Sequence, residues 1–500
     1  MSELGDAPVA PPPAAEPAPS SDVPTWVIVA VVSVMVVGIV VAGIAVLPGL
    51  GAEKASGPSY PSAWDPRIAP YVKVVEKERG LTFLHPVSVR FLSAAAFEKT
   101  VTSDEKDLDK KERAQIDQSA GLMRALGLIS GDVDLFTAFN DAHGSGTLAY
   151  YSFDDQRITI RGTALTPAVR PTLVHELTHA LQDQRFGIGA RQRKLRKEAE
   201  KGAATTESDV LDAVVEGDAQ RVATLYRDSL NPQQRRAVAA DEAKQSAQAD
   251  TGLAKVPKVV LTMIGAPYTL GEAMMQAVAA NGGNAAVDAQ FRDTPTHDAV
   301  LLDPFDALAG DTGAASVAVP TLATGEKKFD SGEFGDLSWY FVLAERLPLH
   351  DAVRAADGWG GDAYVAFQRE GASCARAAYV GDTPEDTARM FGALQRWIAA
   401  APGSPAHAQI ENGRVLFESC DPGTSAHVGK DASVDALRLA ATRTYLGINL
   451  LRAGAPLTVA HCLSDRLAQE YPLASLSNPS FGKGDPAVMA RVRELAAGCR

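Results

Sequence analysis

The sequence predicts a fold of the α+β class, because a few short strand signals precede a long series of helix signals. Residues 87–92 (VSVRFL) alternate as a half-buried strand does. Two further alternating runs lie within 147–161 and flank Asp154-Asp155-Gln156, which predicts a hairpin. Strong helix signals follow at about 166–185 and 208–230, and we expect the C-terminal part to be mostly helical.

The individual elements follow from local signals. Thr166-Pro167 is typical of a helix cap and first turn, and Pro171 is tolerated only near the helix start. In 208–230, apolar residues at helical spacing form one stripe, and Glu216 lies off it. That stripe consists of Leu211, Val214, Val215, Val222 and Leu225. Further helices are expected near 108–128, 269–280, 335–345, 382–400 and within 434–499, with strands at the end of 358–380 and at 415–418. The sequence from Gly358 to Asp362 (GWGGD) predicts a tight turn packed by Trp359.

The N-terminal region carries the signals of a membrane anchor. Residues 1–24 are rich in Pro, Ala and acidic residues, which predicts a disordered tail. Residues 25–47 are predicted to be a transmembrane helix, because the uncharged run from Trp26 to Leu47 would span about 33 Å at about 1.5 Å per residue. No Lys or Arg precedes Lys54, which disfavours a cleaved signal peptide. We divide the rest into a linker, a catalytic domain, an α+β subdomain and a helical tail, at 48–62, 63–330, 331–428 and 429–500.

Charge and cysteine usage bear on partners and compartment. The net charge of -13 is spread along the chain, and the basic cluster 191–201 is interleaved with glutamates and lacks aromatic residues, so we expect no nucleic-acid partner. Lys54 and Arg67 lie on the C-terminal side of the apolar run and would place the body in the cytoplasm. An even number of cysteines favours an oxidising compartment instead. We therefore expect a single-pass cell-membrane protein whose folded part is extracytoplasmic.

The four cysteines lie in the C-terminal part and lack the close spacing of a structural zinc site. We expect Cys374 to pair with Cys420 and Cys462 with Cys499, because these are sequence neighbours, although two other connectivities exist. His461 is interpreted as a helix residue beside the second disulfide rather than as a metal ligand.

Residues 175–179 read HELTH, a pattern that predicts a zinc-binding site. On an α-helix, residues four apart share one face, so His175 and His179 can present two imidazole nitrogens to one zinc ion. Glu176 is turned by about 100° from His175 and lies beside the metal, where it can accept a proton from a bound water. A catalytic zinc also needs a third protein ligand, and the next strong helix carries the acidic candidate Glu216.

Beyond these positions the sequence resembles bacterial zinc metallopeptidases of the gluzincin kind, in which a glutamate on a later helix completes the HExxH site. The likeness spans roughly residues 60–400. It rests on RGTALTPAVR (161–170), LVHELTHALQDQRF (173–186), EGDA (216–219), PYTLGEA (267–273) and GWGGDAYV (358–365). The resemblance implies a zincin-like fold, in which a small sheet packs on the motif helix and a glutamate-bearing helix follows. It also implies that His175, His179 and Glu216 bind Zn²⁺ and that Glu176 is the general base.

The second coordination sphere is less well defined by the sequence. Several gluzincins have an aspartate one turn beyond the glutamate ligand, whereas this chain has Gln220 there. Asp212 is an alternative partner for a histidine, and Asp218 is another if the ligand itself is different.

The expected reaction is hydrolysis of a peptide or protein substrate through a metal-activated water, with Glu176 taking up and returning the proton. The strand 157–161 is expected to align an extended substrate at a sheet edge. Tyr226, Tyr268 and His297 are candidate oxyanion donors, but packing is the commoner role of such tyrosines and surface exposure that of such a histidine, so we leave them outside the catalytic set.

An alternative function is a cell-envelope binding or scaffolding protein in which zinc is only structural. Such a site has four protein ligands, whereas the sequence offers three and would leave Glu176 without a role.

Overall fold

The computed structural model describes residues 58, 60–199, 205–310, 313–478, 480–482 and 485–499. The expected tail at 1–24, the expected transmembrane helix at 25–47 and most of the linker at 48–62 lie outside the described residues. Within the described part, no helix is both long and apolar enough to cross a bilayer. The division into domains at 330/331 and 428/429 stays a prediction.

The α+β class is confirmed. The strands are β1 (Ser88–Leu92), β2 (Ala149–Ser152), β3 (Arg157–Arg161), β4 (Lys327–Gly332), β5 (Trp359–Arg369), β6 (Ala372–Gly381), β7 (Ala406–Glu411) and β8 (Arg414–Cys420). The helices before residue 300 begin with α1 (Ala69–Arg79), α2 (Ala94–Val101), α3 (Lys110–Ala125), α4 (Leu135–Gly146) and α5 (Val169–Phe186). They continue with α6 (Ile188–Ala199), α7 (Glu207–Ser229), α8 (Pro232–Leu253) and α9 (Lys258–Arg292). The later helices are α10 (Ala299–Leu302), α11 (Pro304–Ala309), α12 (Asp336–Ala344), α13 (Leu349–Ala356), α14 (Pro384–Ala399), α15 (Ser433–Arg452), α16 (Leu457–Glu470), α17 (Leu473–Leu476) and α18 (Pro486–Ala497).

The first sheet has three strands in the order β1-β3-β2. The predicted hairpin is confirmed, since β2 and β3 pair antiparallel with Tyr151 opposite Ile158. The prediction that residues 157–161 lie at a sheet edge is wrong, because β1 pairs in parallel with the other side of β3. In the described part of the chain, β1 and β2 are therefore the edge strands of this sheet, and β2 is the one that contacts the motif helix through Tyr151.

The second sheet is antiparallel, with the order β4-β5-β6-β8-β7. Cys374 on β6 faces Cys420 on β8, and the two form a disulfide, while Cys462 on α16 bonds to Cys499 just after α18. Both expected pairings are confirmed.

The expected tight turn at 358–362 is wrong. Trp359 already belongs to β5 and pairs with Gly381, and the register shifts between Trp359 and Gly361 as at a β-bulge. The glycine-rich segment is therefore the bulged beginning of a strand. The Trp359 indole donates to the Asp362 carboxylate at 2.7 Å.

Helix α5 carries the HELTH motif and is capped from a distance. Thr166 does not cap its own helix. Its hydroxyl donates to Asp241 on α8 at 2.6 Å, and the backbone N–H of Ala168 donates to the same carboxylate at 2.9 Å. Asp241 therefore satisfies a free amide at the helix start. At the other end Gly187 adopts a left-handed φ of 67°, and its N–H donates to the backbone carbonyl of Asp183.

Helix α7 is buried on all sides between residues 209 and 223, although the sequence predicts a single apolar stripe. It lies between two hydrophobic clusters: Val210, Leu211 and Val214 belong to the larger one, while Val222 and Tyr226 belong to the one formed with α5 and the first sheet. The polar side chains between residues 209 and 223 are therefore almost entirely shielded from bulk water.

Two glycines set the distance between α7 and α9. A Cβ at Gly217 would lie 2.1 Å from the backbone carbon of Gly271, and a Cβ at Gly271 would lie 2.1 Å from the carbonyl oxygen of Ala213. Only residues without a side chain permit this approach. The glycines of EGDA and PYTLGEA thus fix the position of Glu216, the residue before Gly217.

We expect Gly217→Ala to push α7 away from α9 and to destabilise the protein by about 1–3 kcal/mol, because the clash involves backbone atoms that cannot rotate aside. Gly392, inside α14, is the matched control, because a Cβ added there would have no atom within 4 Å. Gly392→Ala should therefore be neutral or slightly stabilising. Thermal unfolding and zinc content of both variants are the measurements. Wild-type stability in Gly217→Ala would contradict the helix crossing.

Candidate metal centre

Helices α5 and α7 bring together three side chains that can bind a metal. The Nε2 atom of His175 lies 3.0 Å from Oε2 of Glu216 and 2.9 Å from Nε2 of His179. The distance from His179 Nε2 to the same Glu216 oxygen is 3.3 Å. His179 is fully buried, and His175 and Glu216 are at most 4% exposed. The three residues that the sequence predicts as ligands thus converge on one point.

The donor atoms fit a zinc ion. A tetrahedral ion with bonds of about 2.0–2.1 Å holds its ligand atoms about 3.3 Å apart, close to the 2.9–3.3 Å found here. The second carboxylate oxygen of Glu216, Oε1, is buried and has no hydrogen-bond partner in the described part of the chain. Leaving a buried carboxylate oxygen without a partner is costly, and a cation bound beside it would remove this cost. Two imidazoles and one carboxylate are also a common ligand set of catalytic zinc.

The electrostatics of the group place one positive charge beside the ionised Glu216 carboxylate. Burial and the neighbouring His179 lower the pKa of His175, so its imidazole is neutral. Burial also opposes the charge on His179, but the Glu216 carboxylate outweighs it and raises that pKa to about 9. Burial raises the pKa of Glu216, but the two histidines outweigh this effect and lower it to about 2. At neutral pH the protonated His179 thus balances the ionised Glu216 carboxylate, and a bound cation would take the place of the His179 proton.

Glu176 lies beside this group and is not part of it. It is 2% exposed, and its Oε2 atom accepts a hydrogen bond of 2.7 Å from the backbone N–H of Tyr151 on β2. That N–H points away from β3, since the N–H of Arg161 donates to the Leu148 carbonyl across the hairpin and the pattern alternates along it. The unpaired edge of β2 therefore fixes the carboxylate of Glu176.

Gln182 holds His179, a role that the sequence did not reveal. Its side-chain nitrogen donates to the carbonyl of Val215 and to the Asp218 carboxylate, each at 3.0 Å. Both partners only accept, so the amide oxygen must face Nδ1 of His179, 3.0 Å away. Gln182 therefore fixes a proton on Nδ1 of His179 and turns Nε2 toward the centre, where a bound metal would displace the second proton that His179 holds at neutral pH.

The contacts of Gln182 continue into a buried ion-pair network. Arg79 at the end of α1 lies 2.8 Å from Asp218, and Arg221 lies 2.8 Å from its other oxygen. Burial opposes the charge of Asp218, but the two arginines lower its pKa. Asp218 is therefore ionised and anchors Gln182, which in turn contacts the ligand His179.

The remaining second-sphere candidates lie elsewhere. Asp212 accepts from Gln192 at 3.0 Å, and burial raises its pKa to about 8. Gln220 is buried within α7. The available signal for Gln182 was its position three residues after His179, on the same helical face.

Of the three candidate oxyanion donors, Tyr268 stacks on the ligand His175, with ring centroids 5.9 Å apart. Tyr226 packs edge-on against Tyr71, and His297 pairs with Glu333 at 3.1 Å.

Comparisons of the sequence with protein families, with curated proteins and with solved structures gave no match. The chemistry of the centre therefore rests on its own geometry.

We expect Gln182→Ala to weaken zinc binding about 10–100-fold, because His179 loses the acceptor that fixes its tautomer and ring orientation. Gln184→Ala on the same helix is the control, since the Gln184 side chain hydrogen-bonds the backbone of Leu84 and His85 rather than a metal-binding histidine. Competition with a chromophoric chelator measures both affinities. Equal zinc affinity in Gln182→Ala and wild type would show that Gln182 does not orient His179.

Proposed function

We propose that this chain is a zinc-dependent peptidase, tethered to the cell membrane by residues 25–47 with its folded part outside the cytoplasm. The observation that carries the proposal is the convergence of His175, His179 and Glu216 with the separate carboxylate of Glu176 beside them. A ligand set with an adjacent, unligated carboxylate is the arrangement that hydrolysis by an activated water requires. The two disulfides support the extracytoplasmic location.

Each residue has a distinct role in the proposed reaction. His175, His179 and Glu216 would hold the ion, which when bound would supply the Lewis acidity that makes a water nucleophilic near neutral pH and polarises the scissile carbonyl. Glu176 accepts the proton of the attacking water and returns it to the leaving nitrogen. The N–H of Tyr151 keeps one oxygen of Glu176 in place. Burial of the site keeps bulk water away from the carboxylate.

The proposed arrangement is zincin-like: a small sheet packs against the motif helix, and a later helix supplies a glutamate. In support, α5 contributes Leu173, Val174 and Leu177 to the same hydrophobic cluster as Ile158 and Ile160 of β3. The outer edge of β2 faces α5, and Ala149 shares the outward orientation of Tyr151 along it. We therefore transfer the proposed alignment of an extended substrate from β3 to β2.

A non-catalytic envelope protein stabilised by zinc is the second candidate, and the near-complete burial of the three ligands favours it. A structural zinc has four protein ligands, however, and the group in the described residues has three. The two functions differ in the consequence of losing Glu176.

We expect Glu176→Gln to bind zinc as the wild type does and to hydrolyse peptides about 10²–10⁴-fold more slowly, because the amide cannot act as a base. Glu216→Ala should lose both zinc and hydrolysis. Zinc content by elemental analysis and cleavage of a denatured-protein mixture, followed by mass spectrometry, are the measurements.

Hydrolysis by Glu176→Gln at the wild-type rate would contradict the mechanism. Zinc bound stoichiometrically without any hydrolysis by the wild type would favour the structural role.

We expect the full-length chain to remain in the membrane pellet after alkaline carbonate extraction, whereas a chain lacking residues 1–47 should be released, because the apolar run is the proposed anchor. Protease added to intact spheroplasts should digest the folded part if it is outside the cytoplasm. Protection from the protease, or extraction of the full-length chain by carbonate, would contradict the respective part of the proposal.

A further inference from the structure

A small acidic cavity lies among α10, α11, α12 and the start of β5, where His461 and Arg443 approach from the C-terminal helices. Its volume is about 50 Å³. Five carboxylates line it, those of Asp303, Asp306, Asp336, Asp357 and Asp382. Organic ligands occupy pockets of about 300–1,000 Å³, so this space suits an ion with one or two waters.

Three of the five carboxylates, those of Asp303, Asp306 and Asp357, have a cationic partner in the protein itself. Arg443 binds both oxygens of Asp357, at 2.7 and 2.8 Å, and lies 3.3 Å from Asp303. His461 lies 2.9 Å from Asp303, 3.0 Å from Asp465 and 3.5 Å from one oxygen of Asp306. The donor group formed by Asp303, His461 and Asp465 therefore already contains positive charge, and we do not assign it a metal.

Asp336 has no such partner. It is 3% exposed and lines the cavity, and its Oδ1 atom is buried without a hydrogen-bond partner among the described residues. The N-terminus of α12, on which Asp336 lies, does not compensate its charge either. Asp298 already occupies that position, since it accepts the backbone N–H of Asp336 at 2.8 Å and that of Leu337 at 3.2 Å.

The charges facing Asp336 are mostly negative. Burial raises its pKa well above the ordinary range, and the carboxylates of Asp298 and Asp357 add to this effect, while Arg443 opposes it. Burial likewise raises the pKa of Asp298 to about 8 and that of Asp357 to about 7. The carboxylates around the cavity outnumber the cationic side chains there, which are His297, Arg443 and His461. A proton or a bound cation at Asp336 would therefore offset an excess of negative charge.

We propose that this cavity binds a calcium ion through the Asp336 carboxylate, with water and the neighbouring carboxylates of Asp306 and Asp382 completing the coordination shell. Carboxylate and water oxygens are the ligands that calcium prefers, at about 2.3–2.6 Å. Calcium also tolerates an irregular shell of six to eight ligands, whereas magnesium requires a near-octahedral one. Because these carboxylates come from separate elements, the ion would link α11, α12 and the loop before α14.

The calcium site is independent of the proposed peptidase activity, since none of its residues belongs to the His175, His179 and Glu216 group. The competing explanation is that Asp336 is simply protonated. Asp336→Asn distinguishes the two, because asparagine resembles the protonated carboxyl and cannot supply the charge that calcium requires.

The experiment is thermal unfolding of the full-length, zinc-loaded chain at neutral pH with increasing calcium. We expect calcium to raise the wild-type Tm by about 2–5 °C in a saturable manner. Asp336→Asn should have a higher Tm than the wild type without calcium, since it removes a buried repulsion, and should not respond to calcium. Asp117→Asn, on the exposed face of α3, should keep the full calcium response.

A wild-type Tm that is insensitive to calcium would overturn the proposal and leave Asp336 protonated. A calcium response retained by Asp336→Asn would place the ion elsewhere, and an equal response to magnesium would overturn the choice of calcium. Zinc content measured in the same samples separates these results from any loss of the zinc group.

Discussion

The burial of helix α7 on all sides is the constraint on which the rest of the centre depends. A polar side chain on such a helix must find its partner inside the protein, because an unpaired buried charge is very costly. Glu216 faces the two histidines, Asp218 faces Arg79 and Arg221, and Asp212 accepts from Gln192. The close contact of Gly217 with α9 fixes the height of these side chains along the neighbouring helix α5.

This constraint connects the metal ligands to the body of the protein. Asp218 lies two residues after Glu216, and it anchors the amide of Gln182, which in turn orients His179. The same helix thus supplies a ligand directly and positions a second ligand through a neighbour. On the other side of α5, the edge of β2 fixes Glu176. Glu176 and the two histidines share α5, but the hydrogen bonds that hold them come from different elements, so Glu176 can be replaced while the contact that orients His179 remains.

The sequence predicts well what depends on local periodicity. The spacing of His175 and His179 and the hairpin follow from helix and strand geometry, whereas the choice of Glu216 on α7 followed from the resemblance to the gluzincins. It fails where contacts join distant segments. The parallel pairing of β1 with β3 and the capping of α5 by Asp241 leave no local signal. Gln182 was missed for a related reason, since its partner Asp218 lies on α7 and meets it only where α5 and α7 cross. The family pattern directed attention instead to position 220, one turn after Glu216, where this chain has a glutamine.

The two proposed ion sites differ in how their charges are arranged, and this difference predicts how tightly each holds its ion. At the zinc group three donor atoms lie within 3.3 Å of one another, so little rearrangement is needed on binding. At the acidic cavity the carboxylates surround a larger space, and water must fill the gaps. The second site should therefore bind its ion more weakly and exchange it more readily. Its occupancy would then follow the calcium concentration outside the cell, which fits the proposed extracytoplasmic location of the folded part.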